Sequence, residues 1–198
     1  MTRMSEMHTL LSTAAEPFER LLDSIGSDQL ILPTPCAEYD VRALLNHLLY
    51  WGPWLAAAAR RRPAPEVTGG ERDTDLVTGD WRAALRAQTR DLTGAYAAPD
   101  AVAGSTRFGG TELPAAMVAA MVLGEFVLHG WDLAAATGRP WHCAPEVAER
   151  LFELTAAGAE QAREMKVYGP EVPVPPTASF LERALGVSGR DPAWASPR

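Results

Sequence analysis

Apolar residues recur at spacings of three and four along most of this chain, the period of a helix with one buried face. Met7, Leu10, Leu11, Ala14, Phe18, Leu21, Leu22 and Ile25 predict a first helix over roughly 3–26, with Gly26 as its stop. Pro33 and Pro35 break the pattern. Asp40 then reads as the N-cap of a second helix over roughly 41–62. Its buried face is Val41, Leu44, Leu45, Leu48 and Leu55, with His47 at the edge, one turn from Leu44 and Trp51. Residues 63–77 are rich in Pro, Gly, Thr and acid and read as an exposed loop. Trp81, Leu85, Gln88 and Leu92 mark a third helix over roughly 79–96. The stretch 99–111, with Phe108-Gly109-Gly110, is non-helical.

Thr111 and Pro114 open a fourth helix, roughly 112–137, closed by Gly138. A fifth runs roughly 145–168, with proline in its first turn and Gly169 at its end. The tail holds Pro170, Pro173, Pro175 and Pro176 and is extended before a short helix, Ser179 to Gly186. No segment has the length and alternation of a strand. The pattern predicts a mostly α protein of four long antiparallel helices plus one. Residues 1–168 form the bundle, and 169–198 form a Pro-rich extension packing on it.

Composition narrows the partners. At 198 residues with 47% apolar and 22% charged side chains, the chain suits one soluble domain with a real core. A net charge of −7 argues against nucleic acid, whose phosphates need a basic face. The one basic cluster, Arg60-Arg61-Arg62, suits the negative pole at a helix end. The longest uncharged apolar stretch, Leu113 to Val122, meets Glu125 soon after, so no membrane span is expected. The N-terminus lacks the apolar core and cleavage site of a signal peptide, and a cytoplasmic protein is expected. Two cysteines, Cys36 and Cys143, make a disulfide framework unexpected. Lys166 is the sole lysine among 18 basic residues, a bias typical of a GC-rich genome.

Three residues carry candidate chemistry. Glu125 and His129 lie four apart in Gly124-Glu125-Phe126-Val127-Leu128-His129-Gly130-Trp131-Asp132, and His47 sits far upstream in an apolar helix. Glu125 and His129 share one helical face, with Cβ atoms about 5–6 Å apart. That spacing serves a metal or an ordinary salt bridge. Met121, Val122, Leu123, Phe126, Val127 and Leu128 surround the pair, and ionisable groups avoid such surroundings unless paired or metal-bound. Two imidazoles and one carboxylate make a metal site with open positions. A bundle interior is where such ligands converge from different helices. Asp132 is a candidate acceptor behind a ligand, or a structural hydrogen-bond partner. Cys36 reads as a buried structural thiol, His142-Cys143 as a plain loop, and His8 as exposed or capping. Trp51, Trp54 and Trp131 line a pocket or fill the core; the sequence leaves both open.

Two blocks resemble a known family: Pro33-Thr34-Pro35-Cys36-Ala37-Glu38-Tyr39-Asp40-Val41-Arg42-Ala43-Leu44-Leu45-Asn46-His47-Leu48, and Leu128-His129-Gly130-Trp131-Asp132-Leu133-Ala134. The tail, with Tyr168-Gly169-Pro170-Glu171-Val172-Pro173 and later Gly189-Arg190-Asp191-Pro192, is similar as well. These resemble the actinobacterial metal-binding proteins of the DinB-like superfamily, in the group related to mycothiol-dependent maleylpyruvate isomerase. The resemblance implies a DinB-like four-helix bundle with a divalent metal held by His47, Glu125 and His129. Many relatives carry tryptophan where this chain has Tyr39. The isomerase has a further C-terminal domain that supplies a catalytic arginine. The resemblance does not reach it, so maleylpyruvate isomerisation itself is not expected.

The reading that follows is a divalent-metal-dependent enzyme of the mycothiol-dependent transferase or isomerase type. Zinc is the first choice of metal, with iron or nickel as alternatives, and mycothiol is the implied thiol cosubstrate. His47, Glu125 and His129 hold the metal, Asp132 orients a ligand, and Arg107 or Arg42 meets an acidic substrate. The alternatives are a thiol-independent tailoring enzyme of specialised metabolism and a non-catalytic binder of a small ligand. The expected partner is a small-molecule substrate, with the protein a monomer or homodimer.

Overall fold

The structure is a computed structural model that describes residues 2–66 and 68–196, the side chains of 2–5 excepted. Met1, Val67, Pro197 and Arg198, which include both outer limits of the expected domain division, lie outside the described residues. Six helices account for most of the chain: α1 (Thr2–Ser24), α2 (Val41–Ala59), α3 (Trp81–Ala95), α4 (Ala115–Ala136), α5 (Pro145–Glu164) and α6 (Phe180–Val187). The protein is mainly α, as its apolar periodicity predicts.

The first four helices form the bundle. α1 and α2 each pack against both α3 and α4, so the core lies on the axis between them. Leu11, Leu22, Leu44, Leu45, Leu85 and Leu123 meet there, each at most 1% exposed. Burying each such side chain stabilises the fold by about 2 kcal/mol. α4 is apolar on most sides and central. It is long and apolar enough to cross a bilayer, but 56% of that stretch is buried within the bundle, as in a core helix. α5 and α6 pack on each other, and α5 also touches α1 and α4.

The caps follow the sequence. Asp40 accepts from the Ala43 amide at 2.7 Å and starts α2. Ser179 and Glu182 form a reciprocal capping box that starts α6. Pro145 occupies the first turn of α5, where its missing N–H costs nothing.

Three expectations need correction. A two-stranded antiparallel hairpin, β1 (Ser105–Phe108) and β2 (Thr111–Pro114), stands where no strand was expected. Gly109 and Gly110 turn it, with φ of +56° and +83°, as a two-residue hairpin turn requires. Strands of four residues are too short for alternation to register, and Thr106 is the only residue of either strand that is fully buried. Thr111 to Pro114 therefore belong to a strand, and α4 begins at Ala115. Helix α5 ends at Glu164, before Gly169; Lys166, with φ of +59°, adopts the left-handed conformation that ends it. Helix α2 stops at Ala59, and Arg61, with φ of +52°, takes the left-handed conformation just beyond it; Arg60 and Arg61 pair with Asp91 and Asp100.

Candidate metal centre

His47 projects from α2, and Glu125 and His129 from the neighbouring α4. The four-residue spacing puts the latter two one above the other on α4. The α2–α4 packing then brings His47 against both. Ligand atoms of the three lie within 4.8 Å of one another. Glu125 Oε2 is 3.4 Å from His47 Nε2 and 3.9 Å from His129 Nε2. In a tetrahedral zinc site with bonds of about 2.1 Å, adjacent ligand atoms are about 3.4 Å apart. The three side chains are 14–18% exposed, buried yet reachable from solvent. Glu125 Oε2 is buried, and its contacts are the two imidazoles, in ion-pair range but without good hydrogen-bond geometry. A buried carboxylate needs a nearby positive charge, which a protonated imidazole supplies in the metal-free protein and a cation between the three side chains would supply in its place.

The opposite ring nitrogen of each histidine is fixed by a different carboxylate. His47 Nδ1 lies 3.2 Å from Glu71 Oε1 and 3.2 Å from the Tyr39 hydroxyl. His129 Nδ1 lies 2.9 Å from Asp132 Oδ2. A proton held on each Nδ1 leaves each Nε2 lone pair aimed at Glu125, the tautomer a metal needs. Glu71 is fixed in turn by the Trp51 indole N–H, which donates to its other oxygen at 2.7 Å. Asp132 is fully buried, and Arg190 from the tail donates to both of its oxygens at 2.8 Å.

Electrostatics match this geometry. Burial opposes charge on His47, but the carboxylates of Glu125 and Glu71 outweigh it and push its pKa up to about 10. Burial also opposes charge on Glu71, yet His47 and Trp51 hold it down at about 2. Glu125 and Asp132 are likewise held below the usual carboxylate range despite burial, Glu125 by the histidines and Asp132 first by Arg190. With no cation bound, His47 carries a proton that a metal must displace.

The other candidates fall elsewhere. Arg107 is exposed on β1 and touches none of the three. Arg42 is taken by Asp75 at 2.6 Å and by the Val77 carbonyl. Cys36 does reach the site: its sulfur lies within 4.8 Å of ligand atoms of His129 and Asp132. Burial pushes its thiol up to about 11, which favours the protonated form. Cys143 is pushed up to about 12 in the same way, and His142 is exposed in its loop. His8 is half-buried on α1. Trp51 serves the site through Glu71. Trp54 packs on Trp51, and Trp131 packs against the core.

Two residues of the centre were not foreseen in a role there. Glu71 lies in a short 3-10 turn, Glu71–Asp73, inside the loop that read as exposed. The only hint is that acids cluster there beside Gly69-Gly70, which lets the loop turn back onto α2. Arg190 stands in the block Gly189-Arg190-Asp191-Pro192, but nothing local announces that it is buried.

Comparison with known proteins shows the family. Residues 11–134 match the family described as the mycothiol maleylpyruvate isomerase N-terminal domain. That span contains the three candidate ligands, Glu71 and Asp132, and stops short of Arg190. Two uncharacterized proteins of Mycobacterium tuberculosis, one from each of two strains, are 32% identical over 182 residues, covering 87% of this chain and 93% of theirs. No solved structure matches. From its α1–α4 bundle and the motifs that meet between α2 and α4, the chain belongs to the family of the mycothiol maleylpyruvate isomerase N-terminal domain.

Proposed function

We propose that this protein is a divalent-metal-dependent enzyme that uses a low-molecular-weight thiol, as a transferase or isomerase. One observation carries the reading: both Nε2 atoms face the buried Glu125 Oε2, at 3.4 and 3.9 Å, while each Nδ1 is held by its own carboxylate. Carboxylates behind both imidazoles and a third between their free nitrogens are the arrangement in which two histidines and a glutamate hold a metal. His47, Glu125 and His129 hold the metal, and zinc suits two imidazoles and one carboxylate. A metal there stabilises a thiol as its thiolate or polarises a substrate oxygen.

The remaining roles belong to the chain itself. Glu71 and Asp132 fix the two imidazoles and raise their donor strength. Arg190 balances the buried Asp132, so its charge does not stand alone beside His129. Tyr39 closes one side of His47, its ring centroid 5.2 Å from the imidazole. Burial and nearby acids raise its pKa, so it stays a neutral hydroxyl. The family supplies the thiol: mycothiol is the cosubstrate this reading expects.

The test is spectroscopic. Untagged protein is loaded with cobalt(II) and titrated with mycothiol. A sulfur-to-cobalt charge-transfer band is expected, and it should be absent in His129→Ala. If thiol leaves the cobalt spectrum unchanged while the protein turns over a substrate without thiol, the tailoring-enzyme reading replaces this one.

A further inference from the structure

A second groove does not open on the three candidate ligands. It has a volume of about 590 Å³ and lies between the C-terminal end of α2 and the β1–β2 hairpin. That volume suits a small organic molecule. Trp54 and Phe108 supply its aromatic lining, and Arg61, Arg62 and Arg107 bring positive charge to its walls.

The walls are held firmly. Thr106 donates its hydroxyl to the Ala58 carbonyl at 2.6 Å, tying β1 to α2. Arg61, in a left-handed conformation with φ of +52°, bonds the carbonyls of Asp100 and Ala103 and pairs with the Asp100 carboxylate. Arg61 is thus spent on structure. Arg62 and Arg107 are not: neither side chain has a hydrogen-bond or ion-pair partner among the described residues. The charge of Arg62 acts on Asp91, which is already paired with Arg60 at 2.7 Å. Glu112 also lines the groove, but it accepts the Ser105 hydroxyl and makes no ion pair with Arg107, its partner in register. Two free guanidinium groups beside aromatic rings, on a chain of net charge −7, form a local exception to its acidic surface.

We propose that this groove binds a small planar anion, an aryl carboxylate, with its ring against Trp54 and Phe108 and its carboxylate on Arg62 and Arg107. Guanidinium pairs with carboxylate through planar, charge-assisted hydrogen bonds, and aromatic walls favour a flat apolar body. The site goes beyond the metal chemistry and does not depend on it. It is joined to the metal centre by side chains in contact. Trp54 and Phe108 each lie 5.7 Å from Trp51, ring centre to ring centre. The Trp51 indole holds Glu71, which holds His47.

Calorimetric titration with 2-naphthoate tests the proposal. Wild-type protein is expected to bind it better than both neutral 2-naphthalenemethanol and non-aromatic cyclohexanecarboxylate. Arg62→Gln and Arg107→Gln, both at exposed positions, should each weaken binding about tenfold. Metal-free protein and His129→Ala should bind as well as wild type. Equal binding by the Arg62→Gln/Arg107→Gln double variant, or by the neutral alcohol, overturns the proposal. So does binding that vanishes on metal removal, because the carboxylate would then be a ligand of the metal.

Discussion

His47 and His129 hold equivalent places in this centre, yet their supports differ. His129 leans on Asp132, three residues along its own helix, whose charge is matched by Arg190. His47 leans on Glu71, which a loop delivers from 24 residues away. Partners behind a metal ligand typically account for 10–100-fold in affinity. Glu71→Gln should therefore weaken zinc by about that factor while leaving the fold intact, as read by competition with a chelator. His47, held by Glu125 first and Glu71 next, and Glu71 itself set a pH dependence in the metal-free protein. His47 has its pKa raised from 6.5 to about 10, so its contribution is full below 6.5 and is lost as pH rises through about 10. Glu71 has its pKa lowered from 4.5 to about 2, so its contribution is full above 4.5 and is lost as pH falls through about 2. Urea melts of metal-free protein should show this pair stabilising most between pH 4.5 and 6.5, and His47→Gln should flatten the alkaline limb.

At the level of elements, the long helices are legible because α1, α2, α3 and α5 each carry an apolar stripe, α4 is apolar on most sides, and Asp40 and Pro145 mark the starts of α2 and α5. His47, Glu125 and His129 stood out for a related reason: ionisable residues are conspicuous on apolar helices. Glu71 was not, because an acid in a polar loop is ordinary until the loop folds back. The hairpin was hidden by its brevity, and it carries Arg107 and Phe108 to the groove. The tail was read as a Pro-rich extension, but its path onto the bundle depends on two glycines. Gly189, with φ of +86°, passes so close to Gly169 that a Cβ would sit 2.7 Å from its Cα. Gly189→Ala should cost about 1–3 kcal/mol. A fall in melting temperature, with faster loss of metal from the loosened site, would be the readout.

Taken whole, the molecule joins its tail to its core through the packing of α6 on α5 and through a buried ion pair. Arg190 and Asp132 are 6% and 0% exposed in their side chains, and Arg190 donates to both carboxylate oxygens. Removing one partner strands the other charge. Arg190→Met should then destabilise by about 3–5 kcal/mol, while the Arg190→Met/Asp132→Asn double variant should recover much of that loss. Thermal melts of the set separate this from simple loss of packing, which the double variant would not restore. The central claim is more direct: His47, Glu125 and His129 together hold one divalent metal. Elemental analysis of untagged protein, stripped and reloaded with zinc, measures it. One zinc per chain in wild type, with none retained by His129→Ala or Glu125→Gln that remain folded by circular dichroism, is the expected result. Wild-type protein that keeps no divalent metal, or variants that keep it undiminished, would contradict the account.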